Sequence, residues 1–183
     1  MAFTGNGHSS AFGPTLNPHD PEHVSGGSSG GSAIAVAEDQ VEVGIGADQG
    51  GSIRVPAAWC GVVGHKPTHG LVPYTGIAGI ENTIDHVGPI ASDVRTVGLV
   101  LSVLAGKDPA DPRQPDEVPE PNCTDIDGDP ETLSVAVVEE GFTRPEAEEA
   151  VNERINDGLS DLAAAGATVD HVSVPMHDDA ADI

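Results

Sequence analysis

Hydrophobic positions change their spacing along the chain, and each spacing selects an element. In "VEVGIGAD", from Val41, the apolar residues Val41, Val43 and Ile45 recur at every second position, which predicts a strand. Upstream, "SAIAVAED" from Ser32 carries small residues compatible with a helix. Downstream, "SDVRTVGLVLSVLAG" predicts a helix with Ser92 as N-cap and Gly106 just past its last turn. "LSVAVVEE" from Leu133 reads as a buried strand. Thr143 with Glu146 three residues later predicts a capping box for a helix in which Ala147, Val151, Ile155, Leu159 and Leu162 recur every three or four positions, until Gly166. "TVDHVSVP" from Thr168 supplies the next strand, so residues 133–174 are expected to form a βαβ unit.

Between these periodic stretches the chain is punctuated. Pro14, Pro18 and Pro21 forbid a long helix in residues 1–27, which read as an extended or looping lead-in. "IRVPAAWCGVVGHKPTHGLVPY", from Ile53, is broken by Gly61, Gly64, Pro67 and Gly70 into short buried pieces and turns. Residues 107–131 hold six prolines among many carboxylates and read as an acidic surface excursion, disordered or wrapped around the domain. No internal repeat is visible. Alternating helix and strand segments in 183 residues suit a single α/β domain.

Aromatic residues make up 3% of the chain, so its core must be built from Val, Ile, Leu and Ala. A net charge of -23, from 30 acidic and seven basic residues, argues against a nucleic-acid or anionic-membrane surface, which needs clustered Lys and Arg. Carboxylates spread through the whole sequence instead fit a cytoplasmic protein of a salt-loving organism. Cys60 and Cys123 make neither a disulfide framework nor a metal quartet, which suits a reducing compartment. No charged segment followed by an apolar one opens the chain and no apolar run approaches membrane-spanning length, so neither export nor insertion is expected.

Candidate chemistry sits on two glycine-rich stretches, "GGSSGGS" at 26–32 and "ADQGGS" at 47–52. A serine hydroxyl that attacks a carbonyl needs a base, and it needs hydrogen-bond donors aimed at the oxyanion that forms. Glycines let several backbone N–H groups converge on one point, so Ser52 can sit within its own oxyanion hole, with Gln49, Gly50, Gly51 and Ser52 as donors. The same residues also suit a flexible glycine turn after a strand. Other motifs fit less well. Gly26–Gly30 matches G-x-S-x-G, but "NPHDPEHV" is not the strand that a nucleophile elbow requires. His65 and His69 have Pro67 between them, which denies them the helix that would align both rings on a metal. "GIGADQGG" is neither a dinucleotide fingerprint nor a phosphate loop. No metal or cofactor is called for.

The pairing of "GGSSGGS" with "GADQGGSIRVPA", and the 24-residue step from Ser28 to Ser52, resemble the amidase signature family. The resemblance continues through "CGVVGHKPTHGLVPYTGI" and "ENTIDHVGPIASDV" and covers essentially the whole chain. It implies the amidase signature fold, a mixed sheet core flanked by helices, present here in part. It also implies hydrolysis of a small carboxylic amide to acid and ammonia through a seryl acyl-enzyme. Ser52 matches the nucleophile. Ser28 matches the serine that follows a cis peptide bond and bridges the nucleophile to a lysine. Gln49 to Ser52 match the oxyanion-hole backbone, Asp48 matches a position better explained as a loop brace than as an acid or base, Arg54 matches one that fits a bracing salt bridge or a substrate contact, and Ser29 and Ser32 extend the hydrogen-bond network. Gln49 and "GHKPTHG" look most like the aliphatic, aromatic and enantioselective amidases, with the A-type subunits of tRNA-dependent amidotransferases as the alternative.

The family's lysine lies upstream of the first glycine loop, and residues 1–27 contain none. Lys66 and Lys107 match other positions and are not expected to replace it. The chain therefore reads as the central part of one amidase signature domain, spanning 1–183 and inactive alone, with a homo-oligomer left open.

Overall fold

The computed structural model describes residues 4–8, 10–121, 123, 126–144 and 147–179. β1 (Val43–Asp48) lies on the alternating stretch, but the face it buries is not the apolar one. Gly44, Gly46 and Asp48 point inward, while Ile45 is 46% exposed. The cause is α1 (Gly30–Ala37), which lies against β1 so closely that a Cβ on Gly46 would stand 2.7 Å from Ser29 Oγ and one on Gly44 would stand 2.9 Å from Ser32 Cβ. Only glycine permits that approach.

β1 pairs antiparallel with β3 (His86–Ala91), from Val43 opposite Ala91 to Asp48 opposite His86. β3 also pairs antiparallel with the two-residue β2 (Val63–Gly64), giving the order β1-β3-β2. The periodicity argument misses β3. Its Pro89 is tolerated because β2 is so short: Pro89 offers its carbonyl to His65 N at 3.0 Å and leaves no ladder position lacking a donor. Ala33, Val36, Ile53, Ala57, Cys60 and Ile90 close the main core where α1, α2 (Arg54–Trp59) and β3 meet. Val72, Tyr74, Val87 and Leu101 form a second cluster beneath α3 (Val94–Leu104).

α3 begins one residue later than the Ser92 cap would place it. Asp93, in an extended conformation, accepts from Thr96 N at 2.9 Å and is the N-cap, because a carboxylate there can serve both the backbone and the hydroxyl of Thr96. The proline-rich stretch after α3 lies against the body in its described part. Asp111 and Gln114 are buried there, and Gln114 Nε2 donates to the carbonyls of Gly70 and Gly106.

The chain divides into two compact units, residues 1–126 and 127–183. In the second, β4 (Ser134–Val138) and β5 (Thr168–Val172) run parallel, with α4 (Glu149–Ala164) connecting them and a short α5 (Met176–Asp179) following. β4 is not the buried strand that its composition suggests: Val137 is its one buried side chain, because a two-stranded sheet leaves most of its surface open. Thr143 does not cap α4. Glu148 occupies the N-cap without a side-chain bond, Thr143 ends a 3-10 turn over Glu139–Phe142, and Glu146 lies outside the described residues.

Candidate active site

The end of β1 and the start of α2 form the loop 49–53, and Asp48 fixes its shape. This fully buried carboxylate accepts Gly51 N at 2.8 Å, Ile53 N at 3.1 Å and Arg54 N at 3.3 Å. It also pairs bidentately with Arg54, from Nε at 3.0 Å and Nη2 at 2.9 Å. Burial alone would raise its pKa, but the Arg54 guanidinium and the three N–H groups overcome that and hold it at about 2. Asp48 and Arg54 therefore brace the loop and are committed to each other. Gly51, at φ +128°, makes the turn that a side chain would resist.

The other glycine loop meets this one directly. Ser29 N donates to the carbonyl of Ser52 at 3.1 Å, so residues 28–29 and 52 are neighbours. The peptide bond between Gly27 and Ser28 is cis. Ser29 Oγ lies 3.4 Å from the carbonyl of Ala47 and 3.3 Å from its N–H, and Ser32 Oγ donates to the carbonyl of Ile45 at 2.9 Å. Both hydroxyls thus tie the start of α1 to β1. Among the described residues neither the Ser28 nor the Ser52 hydroxyl has a hydrogen-bond partner, so no closed relay joins them.

Gln49, Gly50, Gly51 and Ser52 line a cleft of about 440 Å³ together with Val55, Ile80, Glu81 and Ile84. The expected oxyanion donors are not equivalent. Gly51 N–H is spent on Asp48, whereas no acceptor among the described residues is assigned to the N–H of Gly50 or Ser52. The two lysines are engaged elsewhere: Lys66 Nζ donates to the carbonyl of Pro67 at 3.2 Å and Lys107 Nζ to that of Pro115 at 2.6 Å. No cluster of three or more His, Cys, Asp or Glu among the described residues could hold a metal ion.

Sequence reasoning missed the residues behind the cleft. Buried Asp85 accepts Gln49 Nε2 at 2.7 Å, Ile80 N at 3.0 Å and Glu81 N at 3.2 Å. Gln49 Nε2 also lies 3.4 Å from Tyr74 Oη, the Arg113 guanidinium sits 4.4 Å from the Tyr74 ring centre, and Asp111 binds both Tyr74 N and Arg113. Burial, together with the Asp85 charge, pushes the Tyr74 phenol up, and the Arg113 guanidinium holds Asp111 well below the usual carboxylate range. Asp111 and Arg113 lie in a segment whose composition reads as an excursion, which is why their contribution was hidden.

Comparison with known proteins places the chain in a family. The sequence model of the family described as Amidase matches residues 1–183. The chain is 44% identical to an enantioselective amidase of Rhodococcus rhodochrous over 98% of its own length and 35% of the relative's. It superposes on the A-type subunit of the glutamyl-tRNA(Gln) amidotransferase of Thermotoga maritima with TM-score 0.91 at 38% identity, covering 97% of this chain and 39% of that one. With the peptide amidase of Stenotrophomonas maltophilia the TM-score is 0.82 at 35% identity, covering 98% and 38%. The chain thus spans little more than a third of the length of these relatives, and within that span it has the amidase signature fold in part.

Proposed function

The chain belongs to the amidase signature family, and on that premise we propose that it carries the nucleophile and the oxyanion-binding loop of an enzyme that hydrolyses a small carboxylic amide. Ser52 Oγ attacks the carbonyl carbon as its proton passes through Ser28 to a base, and the resulting oxyanion is held by the N–H groups of the 49–52 loop, of which those of Gly50 and Ser52 have no acceptor among the described residues. Collapse expels ammonia, which takes up the proton, and leaves an acyl ester on Ser52. Water then attacks that ester, the serine oxygen leaves and regains a proton, and the acid departs.

The observation that carries this reading is the Ser29-to-Ser52 hydrogen bond, which joins the two glycine loops beside a cleft lined by Ser52 and its neighbours. The family resemblance implies a lysine as that base; Lys66 and Lys107 bind carbonyls of their own loops, so on this proposal the lysine comes from a longer chain or a partner chain. The 183-residue chain alone is therefore expected to be inert. The net charge of -23 and the free cysteines Cys60 and Cys123 support work in a salt-rich, reducing cytoplasm, on a small molecule and not on nucleic acid. Among the described residues no helix is long and apolar enough to cross a membrane.

The test is a graft in which these 183 residues replace the matching stretch of the Rhodococcus rhodochrous relative. The graft should hydrolyse amides, Ser52→Ala should abolish turnover with the fold intact, and Ser28→Ala should cost about 10² to 10⁴ in rate. Equal, mild effects of both substitutions would contradict the assigned roles. Rapid fluorophosphonate labelling of Ser52 in the 183-residue chain, measured in molar KCl, would overturn the outside lysine and return attention to Lys66.

The likeness to the Thermotoga maritima protein favours a second reading, in which the same acyl-enzyme releases ammonia for transfer to a tRNA-borne carboxylate. A graft that prefers glutamine to simple aliphatic and aromatic amides would select it.

A further inference from the structure

Glutamine at position 49 is a costly choice for a side chain that merely fills space. Its Nε2 has partners, but its Oε1 is buried and, among the described residues, accepts nothing, and such an orphaned acceptor is unfavourable. What holds the amide in this orientation is Asp85. Its Oδ1 accepts Gln49 Nε2 at 2.7 Å, and turning the amide over would set Oε1 against a carboxylate. The same carboxylate accepts the N–H groups of Ile80 and Glu81, two residues that line the same cleft as Ser52. One buried group thus ties the first residue of the nucleophile loop to residues 80–81 of the cleft lining.

We propose that Asp85 is a positioning residue which, through the Gln49 side chain, sets the place of the Gly50–Ser52 backbone relative to the cleft wall at Ile80 and Glu81. Its catalytic consequence rests on the acyl-transfer reading, but the coupling itself does not. Tyr74 Oη, 3.4 Å from Gln49 Nε2, is a weaker second anchor, and the Arg113–Asp111 pair holds Tyr74 from behind. A buried carboxylate confined to bracing its own turn would not need the glutamine.

The test uses the 183-residue chain in molar KCl and reads two signals: amide hydrogen exchange at Gly51, whose buried N–H binds Asp48, and the NMR resonances of the Gln49 side-chain NH₂. Asp85→Asn should speed Gly51 exchange at least tenfold and move the Gln49 NH₂ protons upfield as the charge-assisted bond is lost. Gln49→Met should speed Gly51 exchange by a similar factor, and adding Asp85→Asn to it should change Gly51 no further. Gly51 exchange within twofold of wild type in Gln49→Met, or an undiminished effect of Asp85→Asn in the Gln49→Met background, would overturn the proposal. Should Asp85→Asn fail to fold, Gln49→Met decides alone. No turnover enters either signal, so an inert graft with the coupling intact counts against amide hydrolysis only. An active graft without the coupling counts against Asp85 only.

Discussion

The two compact units use the same kinds of apolar residue to different effect. In residues 1–126, small and branched side chains from α1, α2 and β3 interlock until Ala33, Ile53, Cys60 and Ile90 have no exposed surface. In residues 127–183, among those described, only Val137 and Ala167 are buried apolar side chains, and Val151 and Ile155 on α4 are 52% and 46% exposed. A three-stranded sheet with three helices can enclose a core, whereas two strands with α4 and the short α5 leave theirs largely open. The helical stripe of α4 is as regular as that of any core helix. An apolar pattern is thus evidence of an element and not of how much of it is covered.

Paired truncations test this comparison most severely. Ile90→Ala should cost about 2–5 kcal/mol, since the fully enclosed side chain leaves a cavity that its neighbours cannot close. Ile155→Ala, from a half-exposed site, should cost less than about 1 kcal/mol. Trp59 is the only tryptophan and lies in the first unit, so its fluorescence in a urea titration reports that unit, while amide exchange in α4 reports the second. Equal costs would mean that Ile155 is covered in solution by something the structure does not show.

What the sequence made legible follows the same division between pattern and packing. The two glycine cradles, and the strand between them, could be located because Ser28 and Ser52 sit in motifs that need glycine for reasons of backbone approach. The inward face of β1 could not, since glycines gave way to the hydroxyls of α1 and left the apolar residues facing out. β3 was hidden by Gly88 and Pro89, residues that weaken any strand pattern and are admitted only by the carbonyl of His65 on one side and the shortness of β2 on the other. Asp85 and Asp111 were hidden by composition: in a chain with 30 acidic residues, nothing local marks the few that are buried.

Acid should separate the units next. Asp48 titrates at about 2 when folded, against an ordinary value of 3.8, so its ionised form is favoured by the fold. The stability this provides is complete above about pH 4 and is lost as pH falls toward 2, amounting to about 2 kcal/mol. Asp111, held low by Arg113, loses stability in the same direction. In the second unit Glu140 is also held low, by Ser173 Oγ and Val174 N, but it is exposed and should matter little. The urea midpoint of the Trp59 transition should therefore fall between pH 5 and pH 3, and Arg54→Met should flatten that fall. A midpoint unchanged across this interval would contradict the role given to Asp48.

The smallest contrast concerns how the two longest helices begin. Asp93 caps α3 with two short bonds to Thr96, at 2.9 Å from its N–H and 2.7 Å from its hydroxyl, and its extended backbone leaves the carboxylate free to reach both. Removing it in Asp93→Ala leaves an N–H of the first turn without its acceptor and should lower stability and speed exchange of the Thr96 amide. Ser92→Ala should cost almost nothing, although serine looks the better cap in the sequence, because the strand β3 has already ended at Ala91 and the helix starts only after Asp93. At α4, Glu148→Ala should also be close to neutral, since Glu148 makes no capping bond, and Thr143→Ala should leave the helix untouched because Thr143 ends the preceding turn. Exchange rates of the Thr96 and Asn152 amides measure the two starts separately. A loss at Asn152 on changing Thr143 would show that α4 begins earlier in solution and is capped where the Thr143 motif predicts.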